Sequence, residues 1–279
     1  MTFLRSSLLL SLSIAALVGP SLHASTAELQ SRLDGLQDSG ESIVVHIVVA
    51  LCDNQHQGIV PVPASLGDGQ APRTNLYWGA LYGVRTHLSR SGYRLLEHSS
   101  QAPDGVLERV VFSKTLQRSS RPIELVLVAD AWDGRLIAAS IEHFLEFAAG
   151  HAAEEVPLAS GSSVHAGGAS SLVAFVGHNG LMDFDLPEVP SASESPMRGA
   201  IVLACASKQY FLEPLRKGGS HPVLLTTGLM APEAYTLEAA LEALVEGADS
   251  AGIHESAAQA YNSYQKCGVH GARRLFYVE

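Results

Sequence analysis

The run Ile43-Val-Val-His-Ile-Val-Val-Ala-Leu51 constrains the fold more than any other segment of this chain. It is rich in β-branched residues and shows no apolar-polar alternation, the pattern of a strand buried on both faces. Helices on both sides of a parallel sheet meet that condition. Apolar runs at residues 123–129, 172–176, 200–204 and 222–227 are predicted as further core strands. Helical spacing separates several of them: residues 27–36 and 76–88, then Ile137, Ile141, Phe144 and Ala148, then Leu237, Leu241, Leu244 and Val245, then residues 257–266. Residues 93–98 and 107–113 alternate around Pro103-Asp104-Gly105 and are predicted as a hairpin or an added strand pair, with 274–278 as a last edge strand. Residues 55–73 and 186–196 are predicted loops, and 159–171 a Gly- and Ser-rich connector; the last two are plausible processing sites. The expected fold is α/β: a mainly parallel sheet with helices on both faces. With 47% hydrophobic and 16% charged residues over 279 positions, the chain can bury such a core. No repeat or composition break wide enough for a linker interrupts it, so residues 25–279 are expected to form one domain.

Residues 1–24 read as targeting sequence. Arg5 precedes an apolar run over 8–18, a Gly19-Pro20 breaker and the small residue Ala24. This is the pattern of a secretory signal peptide cut after Ala24, and the run is shorter than the roughly 20 residues of a spanning helix. The mature chain is therefore expected to be exported, periplasmic or secreted, with no membrane span. Eighteen Lys and Arg against 28 Asp and Glu, with no basic run, argue against a nucleic-acid partner. Twelve histidines and three cysteines include no H-E-x-x-H, H-x-H or C-x-x-C, and no G-x-S-x-G, phosphate-loop or dinucleotide signature is present. No metal or cofactor is expected.

In a parallel sheet the chemistry gathers beyond the carboxyl ends of the strands. Those positions hold Cys52, Asp53 and Asn54 after the first core strand, and Asp130, Trp132 and Asp133 after the second. Gly177-His178-Asn179-Gly180 follows the third, Cys205 the fourth, and Thr226-Thr227-Gly228 the fifth. A histidine and a cysteine thus end consecutive strands. Neighbouring strands lie about 4.8 Å apart, so both side chains can meet one substrate. A thiol that can lose its proton and an imidazole that titrates near working pH are the parts of nucleophilic acyl transfer.

The blocks Ser171-Leu-Val-Ala-Phe-Val-Gly-His178-Asn-Gly180 and Ala200-Ile-Val-Leu-Ala-Cys205-Ala-Ser207 resemble the catalytic blocks of the caspase-like cysteine peptidases, the group of caspases, legumains, gingipains and separases. The resemblance implies a caspase-like three-layer sandwich that hydrolyses peptide or protein substrates. Cys205 would be the nucleophile and His178 the general acid/base. The backbone N–H of Gly180 or Asn179, with that of Cys205, would form the oxyanion hole. Asn179 stands where the family has glycine, which motivates a second reading: a catalytically inactive caspase-like domain that binds a partner at the same edge. Another cysteine hydrolase on a doubly wound sheet is a third.

Asp53, Asp130, Asp133 and Asp183 are expected as pocket carboxylates that would favour basic substrate side chains. Trp132 and the pair Tyr77-Trp78 are candidate pocket aromatics. Cys52 is the rival nucleophile; otherwise it packs, or pairs with Cys267 in a disulfide. His270-Gly271 is expected to be a turn.

Overall fold

The computed structural model describes residues 25–100 and 102–279; the signal peptide expected over 1–24 lies outside the described residues. Helix α1 (Thr26–Ser39) opens on a capping box, in which the Ser25 hydroxyl accepts from Glu28 N–H and the Glu28 carboxylate accepts from Ser25 N–H. Gly40, in the left-handed region with φ 75°, closes it and turns the chain into β1 (Ile43–Ala50). There follow α2 (Val84–Leu88), β2 (Arg94–Ser99), β3 (Val106–Arg118), β4 (Arg121–Trp132), α3 (Ile137–Ala149), β5 (Ala153–Pro157), β6 (Ser163–Gly167) and β7 (Leu172–Val176). The chain ends with β8 (Gly199–Leu203), α4 (Ser207–Lys217), β9 (His221–Thr226), α5 (Ala234–Val245), α6 (Ser250–Gln265), α7 (Val269–Leu275) and β10 (Phe276–Tyr277).

Eight strands form one mixed, mainly parallel sheet in the order β10-β9-β8-β7-β1-β4-β3-β2. Strands β9, β8, β7, β1 and β4 run parallel, while β10, β3 and β2 each pair antiparallel with their neighbours. The apolar run of β1 is buried on both faces. Val45, Ile47 and Val49 pack with Leu29 and Leu33 of α1 and with Leu237 and Leu241 of α5. Val48 and Ala50 face the other way, onto Ile141 and Phe144 of α3, in a cluster that also holds Phe211 and Leu215 of α4. Among the described residues, no helix is long and apolar enough to cross a membrane.

Four local expectations change. The helix expected over 76–88 is formed only at Val84–Leu88, because Asn75 organises the preceding turns: its side chain bonds Cys52 N–H, the Cys52 and Asp68 carbonyls and Tyr77 N–H. The expected pair of 93–98 with 107–113 forms as β2–β3, and what is added is a second, longer hairpin: β3 runs on to pair with β4, turning on Ser119 and Ser120 at φ 50° and 62°. A Ser-Ser pair carries no Asn-Gly signal for such a turn. Residues 159–171 are not an open connector: β6 pairs with β5, and Val156 and Ala166 pack on Val111, Val126 and Val128. His270-Gly271 lies inside α7 rather than in a turn.

Connectivity places a crevice in the sheet. From β1 the chain builds β4, β3 and β2 on one side, then recrosses to build β7, β8 and β9 on the other. At the β1/β7 boundary the connections leave in opposite directions, and a ligand site is expected outside the carboxyl ends there.

Candidate functional site

A cavity of about 350 Å³ opens at that edge, with His178 and Cys205 in its wall. The register explains why both reach it. Val176 of β7 pairs with Leu203 of β8, and His178 and Cys205 each lie two residues further on, so they leave the sheet at one level. Gly177 allows β7 to pass β1 closely, since a Cβ there would fall 2.9 Å from the Ala50 carbonyl oxygen.

His178 is 8% exposed, and its Nε2–H donates to Asp183 Oδ2 at 2.6 Å. That bond fixes the ring and leaves Nδ1 as the nitrogen for further proton transfer. The same Asp183 oxygen accepts from Gly58 N–H at 3.3 Å, tying the 55–73 loop to the dyad. A Cβ at position 58 would lie 2.6 Å from the Asp183 carboxylate, so a larger residue there would push that carboxylate aside. The departure at Asn179 has a structural cause. Its Nδ2 donates to the Cys205 carbonyl at 2.7 Å and its Oδ1 accepts from Leu181 N–H, so the buried side chain clamps the ends of β7 and β8 together.

Cys205 sits on a sharp strand-to-helix turn. Ala206, the next residue, is left-handed at φ 50° and ψ 34°, a conformation that costs a non-glycine residue about 1–2 kcal/mol. Two buried hydroxyls hold this turn. Ser207 Oγ donates to the Val202 carbonyl at 2.9 Å and accepts from Thr226 N–H at 2.8 Å, while Thr226 Oγ1 accepts from Ser207 N–H and donates to the Ala204 carbonyl. Replacing Ser207 by alanine strands a buried N–H and a buried carbonyl. The expected loss is about 1–3 kcal/mol in a chemical denaturation curve, and a loss under about 0.5 kcal/mol would show that the knot is not what secures the turn. The Cys205 S–H donates to the Met230 carbonyl at 3.6 Å and the sulfur accepts from Met230 N–H at 3.4 Å, so the 227–233 loop forms the opposite wall and the thiol must turn from Met230 to reach the imidazole.

The expected oxyanion donors divide. The N–H of Gly180 is bonded to the His178 carbonyl at 3.1 Å and so does not face the cavity as a free donor. Glycine is needed at 180 for packing, as a Cβ would sit 2.6 Å from the Phe184 ring. Asn179 is fully buried and does not line the cavity either. Cys205 does line it, and among the described residues its backbone N–H has no backbone partner.

Of the expected pocket carboxylates, only Asp183 reaches the dyad, and it does so as the histidine's partner. Asp53 is buried under the 55–73 loop, accepting from Gln55 and His56 N–H, from His56 Nδ1 and from Gln70 Nε2. Burial would raise its pKa, but the bonds from Gln70, Gln55 and His56 outweigh this and lower it. Asp133 is taken by Gln70 and Arg135. Asp130 turns into the protein, where Arg109 grips it with two bonds of 2.6 Å and His46 with one of 2.9 Å. Trp132 lies against His143, with ring centroids 5.2 Å apart, and Trp78 is a core residue; neither lines the cavity. Tyr77 does.

All three cysteines are free, so the disulfide considered between Cys52 and Cys267 is not formed: one is buried and the other exposed. Burial, aided by the nearby Asp53 charge and opposed by a hydrogen bond from Tyr77, pushes the Cys52 thiol up to about 11. At neutral pH it is a protonated core residue rather than a nucleophile. Among the described residues, no group of three or more His, Cys, Asp or Glu side chains could hold a metal ion. Sequence reasoning missed the 55–62 and 227–233 walls, whose residues carry no polar motif, and missed α4, whose buried face is only Ser207, Phe211 and Leu215. Comparisons with protein-family models, curated proteins and solved structures gave no match to this chain.

Proposed function

We propose that this chain is an exported caspase-like cysteine peptidase, with Cys205 as nucleophile and His178 as general acid/base. One observation carries the reading: a thiol and an imidazole, level with each other beyond two paired parallel strands, share the wall of one cavity. In the reaction, Cys205 gives its proton to His178 Nδ1 and the sulfur attacks the scissile carbonyl carbon. The tetrahedral oxyanion is met by the backbone N–H of Cys205, the one expected donor whose residue lines the cavity. The C–N bond breaks as His178 returns the proton to the leaving amine, leaving a thioester on Cys205. Water adds to the thioester, giving one proton to His178 while the acid departs, and that proton restores the thiol. The net change is peptide plus water to acid plus amine. Asp183 orients the imidazole through the bond to Nε2.

Labelling with a peptidyl acyloxymethyl ketone, read by intact mass and peptide mapping, tests this. The expected result is one adduct, on Cys205, that is lost in His178→Ala. The exposed Cys267 is the internal control. Equal labelling of Cys205 and Cys267 would mean an unactivated thiol, and the domain would then be a binding module.

A further inference from the structure

We infer that the side chain on the acyl side of the scissile bond is large, apolar and uncharged, a substrate class that rests on the peptidase reading above. The first ground is the lining. Besides the dyad, the cavity is walled by Ile59, Val62, Leu76, Met230 and Pro232. The second is its rim. Val60 is 87% exposed, Leu229 79% and Met182 44%, and these three water-facing apolar side chains belong to one cavity mouth. Singly exposed apolar residues need no explanation, but three around one opening beside a thiol form a contiguous apolar surface of the kind ligands cover. The third is the state of the charges. No lysine or arginine lines the cavity, so a substrate carboxylate would meet no counter-charge. Glu233 is the lining carboxylate, and its Oε2 already accepts from Tyr235 O–H at 2.7 Å and Gln265 Nε2 at 2.9 Å. His178 is bonded to Asp183. An acidic side chain would lose its water and meet no counter-charge, and a basic one would have only Glu233, already held by two neutral donors, to answer it, whereas an apolar one gains burial along most of the wall. The volume of about 350 Å³ suits one bulky side chain with part of its neighbour.

The test uses the full chain and coumarin-amide tripeptides, acetyl-Ala-Ala-X, differing only at X. Leucine, methionine or phenylalanine at X is expected to give kcat/KM at least about 100-fold above aspartate, lysine or arginine. A lysine or arginine preference would mean that Glu233 anchors the substrate, and would overturn the inference while leaving the peptidase reading intact. Preferential hydrolysis of fatty-acyl esters over all the peptides would overturn it too. Binding separates the two readings. Cys205→Ser, which cannot turn over, is titrated by NMR with N-acetyl-leucinamide and N-acetyl-lysinamide. Selective shifts with the leucine amide support the apolar cavity even if no peptide is cut, and shifts with neither overturn it. Leu229→Asp, at a side chain exposed enough not to threaten folding, is expected to lower kcat/KM for the leucine substrate about tenfold or more, mainly through KM. An unchanged value would remove the rim from the site.

Discussion

Cys205→Ala is expected to bring hydrolysis of a peptide library down to background, a loss of at least about 1,000-fold in kcat, because no other group of the cavity can form the acyl intermediate. The rival thiol cannot substitute. Cys52 is fully buried and its pKa is pushed up to about 11, so almost none of it is thiolate at neutral pH. Cys52→Ala should therefore keep the wild-type rate while melting slightly lower from the lost packing. His178→Ala should lose nearly as much activity as Cys205→Ala, and the double variant should be no worse than either single one, since the two groups act in one step. Asp183→Asn should cost less than either, because its side chain is 42% exposed and solvent screens its field at the ring. Circular dichroism of each variant separates lost chemistry from lost fold. Activity retained by a folded Cys205→Ala protein would move the nucleophile elsewhere.

The parts of this architecture legible in the sequence are those set by period and burial. A β1 run with one polar residue, His46, among β-branched neighbours read as a doubly covered strand, and the 172–176 and 200–204 runs carried His178 and Cys205 to a common edge for the same reason. What stayed hidden was set by partners distant in sequence. Asp183 read as a pocket carboxylate because nothing local says that His178, five residues earlier, turns back onto it. Asn179 read as a departure in the oxyanion loop, whereas its amide bonds the carbonyl of Cys205, 26 residues away. Helix α4 was invisible because three buried residues and an internal Pro214 give a weak periodic signal. The hairpin in the supposed connector depends on His46, whose Nδ1 accepts from Gly167 N–H at 2.9 Å, a contact across 121 residues.

That histidine leads to the second large effect, at Asp130. With Nδ1 accepting from Gly167, the ring proton lies on Nε2 and is donated to Asp130, which Arg109 also holds while reaching Glu154 at 2.8 Å. The network joins the buried middle of β1 to β3, β4 and the β5–β6 hairpin. Burial alone would raise the Asp130 pKa, but Arg109 and His46 bring it down to about 2. Asp130→Asn leaves the Arg109 charge buried with only Glu154 to answer it, and the expected cost is about 3–5 kcal/mol. For a chain of this size that is a fall in Tm of roughly 10 °C. The acid limb gives an independent reading. Because the folded-state pKa is depressed, the stabilisation is complete above the ordinary carboxylate value and is lost as pH falls from about 4 towards about 2. Wild-type stability should therefore drop by about 2 kcal/mol more than that of Asp130→Asn across this window. The hairpin should also loosen, so limited proteolysis of the variant should cut within residues 159–171 before the core strands are attacked. Melting curves of the two proteins that superimpose from pH 7 to pH 2 would show that the β3–β4 hairpin and the β5–β6 hairpin are held to β1 by packing alone.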